Sequence, residues 1–240
     1  MYRQKTVIGI APVLNEREKI GLVIDRIPRG VVDEILIVDD GSTDGSQDVA
    51  VERGAHVIEL GSTLGVGVAI RTGYEYAVRS GFDLAVVMAG NNKDDPDEIP
   101  LLLDPLIDGS ADVVQGSRWL SGHNDFGEMP IYRRFATRLH PALFNLAAGS
   151  ALSDTTNGFR AISREVLSDP KLDLNQTWLD QYELEVYLLY KAIKLGYRVG
   201  EVPVTKRYPP KALGQTKMKP IIGWWSILRP ILLLGTGIKK

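Results

Sequence analysis

The sequence predicts an α/β protein with a mostly parallel central sheet flanked by helices. Short apolar runs alternate with amphipathic stretches through the first 118 residues, which is the pattern of βαβ units. The amphipathic stretches are about ten to fifteen residues long, the usual length of a helix that connects parallel strands. The apolar runs end in polar clusters, and ligands of such sheets bind beyond the carboxyl ends of the strands.

The N-terminal half is predicted to hold five strands and four helices. Continuous apolar runs indicate buried strands, and apolar side chains at helical spacing, such as Ala69 and Ala77, indicate helices. The second helix is expected to begin at Thr43 and to be capped by the preceding Ser/Thr. Strands are expected at 7–11, 34–38, 55–60, 84–88 and 112–116, and helices at 16–27, 43–53, 64–80 and 97–106.

The C-terminal half is less regular. A helix is predicted over 131–148, with an interruption at Pro141 because proline lacks the N–H that a helix interior needs. A strand at 157–162, a helix at 180–195 ending at Gly196, and an extended segment at 197–206 follow. No internal repeat or long linker divides the chain, so we expect one domain over 1–210, with halves 1–118 and 119–210 around one core, followed by a basic segment at 211–240.

Composition excludes several classes of protein. Charged residues at 24% and apolar residues at 44% are ordinary globular values, which argues against a disordered chain or a coiled coil. Without cysteine there is no disulfide scaffold, thiolate metal site or cysteine nucleophile. His56, His123 and His140 lack the spacing of a metal site. No signal-peptide core precedes the first strand, and no apolar run is long enough to span a bilayer.

The charge of the chain is divided unevenly. The net charge is −2, but the segment after Glu201 carries eight basic residues and no acidic ones, which leaves −10 on the rest. The acidic body argues against nucleic-acid binding, and the basic tail predicts an anionic partner. Within the tail, Trp224 and Trp225 flanked by lysines are typical of a helix at a membrane surface. The alternative is a helix that packs on the protein itself.

Two of the polar clusters favour a ligand site over a simple turn. Asp39 and Asp40 follow an apolar strand, where a buried carboxylate without a partner would be costly. A turn with a helix cap would also use Asp, Ser and Thr. The whole string Asp39 to Ser46 follows a unit that opens with Pro12-x-x-Asn15-Glu16, however, and this combination makes a turn alone the weaker explanation.

These motifs resemble family 2 glycosyltransferases, which have the GT-A nucleotide-sugar fold. Residues 12–16, 39–44 and the Gly-rich 64–73 carry the resemblance to the family. Residues 154–160 (Asp-Thr-Thr-Asn-Gly-Phe-Arg) and 214–217 (Gly-Gln-Thr-Lys) resemble the polyprenyl-phosphate sugar synthases, the dolichyl-phosphate mannose synthase group. The similarity extends over nearly the whole chain, and its N-terminal motifs are the more specific ones.

The resemblance implies roles by position. Donor binding is implied for Pro12, Leu14, Glu16, Asp39, Asp40, Ala89, Gly90 and Asn91. Catalytic roles are implied for Lys93, Asp154 and Arg118. Phosphates of the donor or acceptor would be bound by the guanidinium and ammonium groups of Arg133, Arg134, Lys211 and Lys217.

The chain departs from the family at the metal motif. The family's Asp-Ala-Asp-x-Gln, whose carboxylates hold a divalent cation, is replaced by Ala89-Gly90-Asn91-Asn92-Lys93. Asn91 offers only a neutral oxygen, whereas Mg²⁺ is usually held by at least one carboxylate. Three explanations remain open: Lys93 takes over the charge of Mg²⁺ or Mn²⁺, a following Asp recruits the ion, or catalysis is lost. The alternative to a charge-replacing role is that Lys93 is an ordinary solvated loop lysine.

The resemblance implies transfer of a sugar from a nucleotide sugar to a polyprenyl phosphate, dolichyl or undecaprenyl, with inversion. A saccharide acceptor with Asp154 as base, or a catalytically impaired sugar-nucleotide-binding module, are the alternatives. The expected partners are the nucleotide sugar, the lipid phosphate and a membrane surface contacted through 220–238, and a homodimer is left open. The expected location is cytoplasmic, at the cytoplasmic face of the membrane.

Overall fold

The structure, a computed structural model, describes residues 1–120, 129, 131–208 and 220–239. Within these residues, seven strands form one sheet. They are β1 (Val7–Val13), β2 (Glu34–Asp39), β3 (His56–Glu59), β4 (Leu84–Val87), β5 (Val113–Ser117), β6 (Arg160–Ser163) and β7 (Val199–Pro203).

The sheet confirms the predicted mostly parallel α/β architecture. The strand order is β3-β2-β1-β4-β6-β5-β7. Only β6 is antiparallel to its two neighbours, β4 and β5, and the pairings among β1 to β4 and between β5 and β7 are parallel. The carboxyl ends of six strands therefore meet at one edge of the sheet, as the expected ligand site requires.

Eight α-helices surround the sheet in the described part of the chain, and two short 3₁₀ turns at 96–98 and 177–179 precede two of them. The helices are α1 (Arg17–Arg26), α2 (Ser46–Glu52), α3 (Val66–Arg79), α4 (Ile99–Ile107), α5 (Ile131–Ala148), α6 (Arg164–Leu167), α7 (Glu183–Lys194) and α8 (Pro220–Gly235).

Two details of the predicted helices were wrong. Helix α2 begins at Ser46, after Gly45 in a left-handed conformation (φ 82°), and not at Thr43. Helix α5 continues through Pro141 without interruption. A proline inside a helix costs about 3 kcal/mol, but Phe144 and Ala148 of the following turns are buried in the core, and this packing holds the helix together.

Each face of the sheet carries a hydrophobic core. One core lies under α1, α2 and α4, and the other under α3, α5, α7 and α8. Residues of both halves of the chain contribute to each core. Helix α8 packs on α5 and α7 through Ile227, Ile231 and Leu234, which are all buried. Within the described residues, no helix is both long and apolar enough to cross a bilayer.

Candidate active site

The loops after β1 and β2 are fastened to each other at the carboxyl edge of the sheet. Asn15 adopts a left-handed conformation (φ 50°), and its side-chain oxygen accepts a hydrogen bond from the Thr43 amide at 2.8 Å. The Asn15 amide donates to Ser42 Oγ, and the Glu16 amide donates to Ser46 Oγ, both at 2.8 Å. The first two polar clusters of the sequence therefore form one surface, with Glu16 partly exposed on it.

The two aspartates at the end of β2 have different surroundings. Both oxygens of the Asp40 carboxylate accept hydrogen bonds from the start of α3, with Leu64 N at 2.7 Å and Gly65 N at 3.0 Å from Oδ1. Asp39 Oδ2 accepts from the Ser42 amide at 2.8 Å, whereas its buried Oδ1 has no partner among the described residues. A buried oxygen of this kind is costly unless a ligand donates to it. Of the two, Asp39 has the carboxylate oxygen that lacks a donor among the described residues.

The loop after β4 lies directly against the end of β1. A side chain at Gly90 would bring Cβ within 2.6 Å of Val13 Cγ2 and 3.2 Å of the Pro12 carbonyl oxygen, so only glycine fits without displacement. Beyond it, the side-chain oxygens of Asn91 and Asn92 are buried and have no hydrogen-bond partner in the part of the chain that the structure describes. Together with Asp39 Oδ1, they form a set of acceptors without donors at the carboxyl edge.

Asp94, the first carboxylate after Asn91 and Asn92, already has partners for both of its oxygens. Asp94 is almost fully buried, and its Oδ2 accepts a hydrogen bond from the Ala89 amide at 2.9 Å. Its Oδ1 forms an ion pair with Lys206 Nζ at 2.5 Å. Lys206 follows β7, so this pair joins two loops that are 112 residues apart.

The residues present do not fit the divalent-cation site of the family motif. The other nearby carboxylate, Asp95, forms ion pairs with Arg26 and Arg207. Asn91 and Asn92 then offer only neutral amide oxygens, and across the described residues no three His, Asp or Glu side chains group as metal ligands do. Since Mg²⁺ is normally held by a carboxylate together with phosphate oxygens, the expectation that a following Asp recruits the ion has no support in this geometry.

Lys93 lies in the same loop and is 7% exposed. Its carbonyl oxygen accepts a hydrogen bond from the Arg207 amide at 2.8 Å. Burial argues against the alternative that Lys93 is an ordinary solvated lysine, since a solvated loop lysine would be exposed.

Arg118 and Asp154 form a buried ion pair. Arg118 is 2% exposed and Asp154 is fully buried; the guanidinium donates from Nε to Oδ2 at 2.6 Å and from Nη2 to Oδ1 at 2.8 Å. Arg118 also donates to Tyr208 Oη at 3.0 Å and to Thr156 Oγ1 at 2.5 Å. Burial alone would raise the pKa of Asp154, but the charge and hydrogen bonds of Arg118 outweigh it and lower that pKa. The pair is thus bidentate and ionised.

Several residues around the site carry no signal in the sequence. Glu201 of β7 accepts hydrogen bonds from the amides of Ser153 and Asp154, at 2.7 and 2.9 Å, and so supports the turn that carries Asp154. Lys206 and Tyr208 connect the β4 loop with Arg118. None of the three was predicted, because their partners are distant along the chain. The basic run in which Lys206 lies was the one available sign.

The expected phosphate-binding residues are only partly described. Arg134 lies exposed on α5. The side chain of Arg133, and all of Lys211 and Lys217, fall outside the described residues.

The family follows from a comparison with known sequences. Residues 10–169 match the model of "Glycosyl transferase family 2". The chain belongs to this family. As a family 2 glycosyltransferase it is an enzyme that transfers sugars, which confirms the predicted class of activity.

Two relatives match nearly the whole length of this family 2 glycosyltransferase. The polyprenol monophosphomannose synthase of Mycolicibacterium smegmatis is 33% identical over 90% of this chain and 81% of its own. The dolichyl-phosphate hexose transferase of Haloferax volcanii is 33% identical over 91% of this chain and 89% of its own.

The fold is that of GT-A glycosyltransferases. The glucosyl-3-phosphoglycerate synthase of Mycobacterium tuberculosis, solved with Mn²⁺, uridine diphosphate and phosphoglyceric acid, covers 99% of this chain with a TM-score of 0.71. The chain covers 80% of that protein, and the sequences are 24% identical. That neighbour was thus solved with both a divalent cation and a nucleotide.

Proposed function

We propose that this glycosyltransferase moves a sugar from a nucleotide-sugar donor to a polyprenyl phosphate with inversion at the anomeric carbon. The names of the two full-length relatives support this acceptor class. The structural observation that carries the proposal is the Arg118–Asp154 ion pair. A saccharide hydroxyl needs a general base, and Asp154 was the candidate, but its lowered pKa and its bidentate partner make it a poor proton acceptor.

A lipid phosphate removes the need for a base. The second pKa of a phosphate monoester is about 6, so its oxygen is already an anionic nucleophile at neutral pH. That oxygen attacks the anomeric carbon, a new carbon–oxygen bond forms on the face opposite the leaving group, and the bond to the nucleoside diphosphate breaks. What the protein must supply is orientation of both substrates and positive charge for the leaving diphosphate.

The donor would lie across the carboxyl edge of the sheet. The three buried acceptors without partners among the described residues, Asp39 Oδ1, Asn91 Oδ1 and Asn92 Oδ1, suit hydroxyl and amine donors of a nucleoside and a sugar. Lys93, buried in the same loop, would provide the positive charge that the divalent cation supplies elsewhere in the family. No step of this proposal uses a metal ion.

An exposed apolar row on α5 supports a position at the membrane surface. Ile131, Phe135, Leu139, Leu143 and Leu146 lie three or four residues apart and are 41–86% exposed, so they share one side of the helix. Arg134 and Arg138 form an exposed basic row beside them. Exposed Trp225 of α8 belongs to the other candidate surface, 220–238. Apolar residues flanked by arginine suit an anionic bilayer, which supports a peripheral location at the cytoplasmic face.

A comparison of acceptors tests the proposal. The protein would be incubated with labelled UDP- and GDP-hexoses and, in parallel, undecaprenyl phosphate, undecaprenol and a soluble oligosaccharide. We expect label in the lipid fraction with the phosphate only. Label on the oligosaccharide would favour the alternative acceptor. Donor binding without turnover of any combination would favour the non-catalytic binding module.

A further inference from the structure

The turn that carries Asp154 is also contacted by a residue of α5. On one side of the turn, Glu201 accepts hydrogen bonds from the amides of Ser153 and Asp154. On the other side the ring of His140, itself buried, lies between this turn and α8. His140 Nδ1 is 2.7 Å from Thr155 Oγ1, and His140 Nε2 is 3.2 Å from the carbonyl oxygen of Ile227. His140 therefore joins the C-terminal helix to the residue next to Asp154.

The protonation state of His140 determines the direction of both hydrogen bonds. Burial lowers the pKa of His140 to about 4, so the ring is neutral at neutral pH and carries one N–H. A carbonyl oxygen can only accept, so the proton is on Nε2 and is donated to Ile227. Nδ1 then accepts from the Thr155 hydroxyl. A neutral histidine with both ring nitrogens engaged has a fixed orientation.

Thr155 lies between two residues that bind Arg118. Asp154 and Thr156 both accept hydrogen bonds from the Arg118 guanidinium, and Thr155 is fully buried. A displacement of Thr155 would therefore alter both contacts to Arg118. We propose that His140 is a positioning residue, through which the packing of α8 on the body fixes the turn that carries Asp154.

Helix α8 is held on the body independently of this turn. Ile231 and Leu234 are buried, Tyr190 Oη donates to the Leu234 carbonyl oxygen at 3.2 Å, and Arg229 forms an ion pair with Glu183 at 2.9 Å. Helix α8 would thus have a task inside the enzyme besides any contact with lipid. The inference rests on the proposed function, in which Asp154 and Arg118 belong to the active site.

The first test uses a short, water-soluble isoprenyl phosphate as acceptor, so that membrane binding does not contribute. His140→Leu should lower kcat about tenfold and leave KM for the nucleotide sugar unchanged, since a small displacement at a reacting centre is costly. His140→Gln, which can both accept and donate, should stay within about threefold of the wild type. Thr155→Val should add little to His140→Leu in the double variant. Wild-type kcat in His140→Leu, or losses that multiply in the double variant, would overturn the proposal.

The second test requires no turnover. The Thr156 amide donates to Asp154 Oδ1 at 3.1 Å, so its hydrogen exchange reports on the turn. Exchange should be at least tenfold faster in His140→Leu and in Ile231→Ala/Leu234→Ala, which loosens α8. It should be unchanged in His140→Gln and in Leu232→Ala, an exposed position of the same helix. Unchanged exchange in either of the first two variants would overturn the link to α8, even if the wild type transferred no sugar.

Discussion

At the scale of single residues, the carboxylates of the site differ in whether a cationic side chain already pairs with them. Asp94, Asp95 and Asp154 are all bound to cationic side chains, whereas Asp39 keeps a buried oxygen with no partner in the described segments. The residue types and their positions at the strand ends could be predicted from the sequence. The pairing could not, because Asp94 meets Lys206 across 112 residues and no local pattern signals such a contact.

The Arg118–Asp154 pair leads to a prediction on stability. Asp154→Asn removes one partner of a buried ion pair and leaves the guanidinium uncompensated, which typically costs about 3–5 kcal/mol. Arg3→Gln is the matched control, because it breaks an exposed pair with Asp104, which is worth about 1 kcal/mol or less. Urea denaturation measures both variants. Equal losses in the free energy of unfolding would mean that the buried pair contributes no more to stability than the exposed one.

His140 leads to a prediction on pH. The folded protein holds its pKa at about 4, while an unfolded histidine titrates near 6.5. Between these values only the unfolded state binds the proton, so the free energy of unfolding falls as pH falls, by about 3 kcal/mol from His140 alone. Comparing wild type and His140→Gln between pH 7 and pH 4 isolates this contribution, since all other titrating groups are shared. If the free energy of unfolding changed with pH equally in the two proteins, His140 would not contribute to this dependence.

At the scale of elements, strands and long helices followed the sequence closely, and the exceptions have tertiary causes. Helix α2 starts late because Ser42 and Thr43 bind Asn15 of the β1 loop instead of capping the helix. Helix α5 continues through Pro141 because Phe144 and Ala148, in the turns that follow, are buried in the core. The antiparallel direction of β6 also had no sequence signal, since alternation of apolar residues does not encode the direction of a strand.

The exposed row of α5 predicts membrane binding that a single substitution weakens. Phe135→Asp removes a 68% exposed aromatic side chain from the row, and burial of such a side chain is worth about 2 kcal/mol, or about thirtyfold in partitioning. The control is Leu22→Asp, which is 52% exposed on α1 over the opposite face of the sheet. Flotation with vesicles of anionic and neutral lipid measures both. A similar loss for the two variants would argue against a surface formed by α5.

At the scale of the whole molecule, one edge of the sheet gathers loops from both halves of the chain. The segment after β7 joins them, because Lys206 binds the β4 loop and Tyr208 accepts from Arg118. These contacts connect the loop after β4 to the loop after β5. The uneven charge of the sequence receives a partial explanation, since Lys206 and Arg207 neutralise aspartates within the body.

The initial rate of sugar transfer to undecaprenyl phosphate, measured in EDTA and in Mg²⁺, tests the proposed reaction and the role of Lys93 together. If Lys93 neutralises the leaving diphosphate as proposed, the two rates should agree within about twofold. Lys93→Gln should lose about a hundredfold in kcat, the usual effect of removing one group that stabilises charge in the transition state. Transfer that stops in EDTA and returns with Mg²⁺ would contradict the role of Lys93, and absence of transfer under both conditions would contradict the proposed reaction.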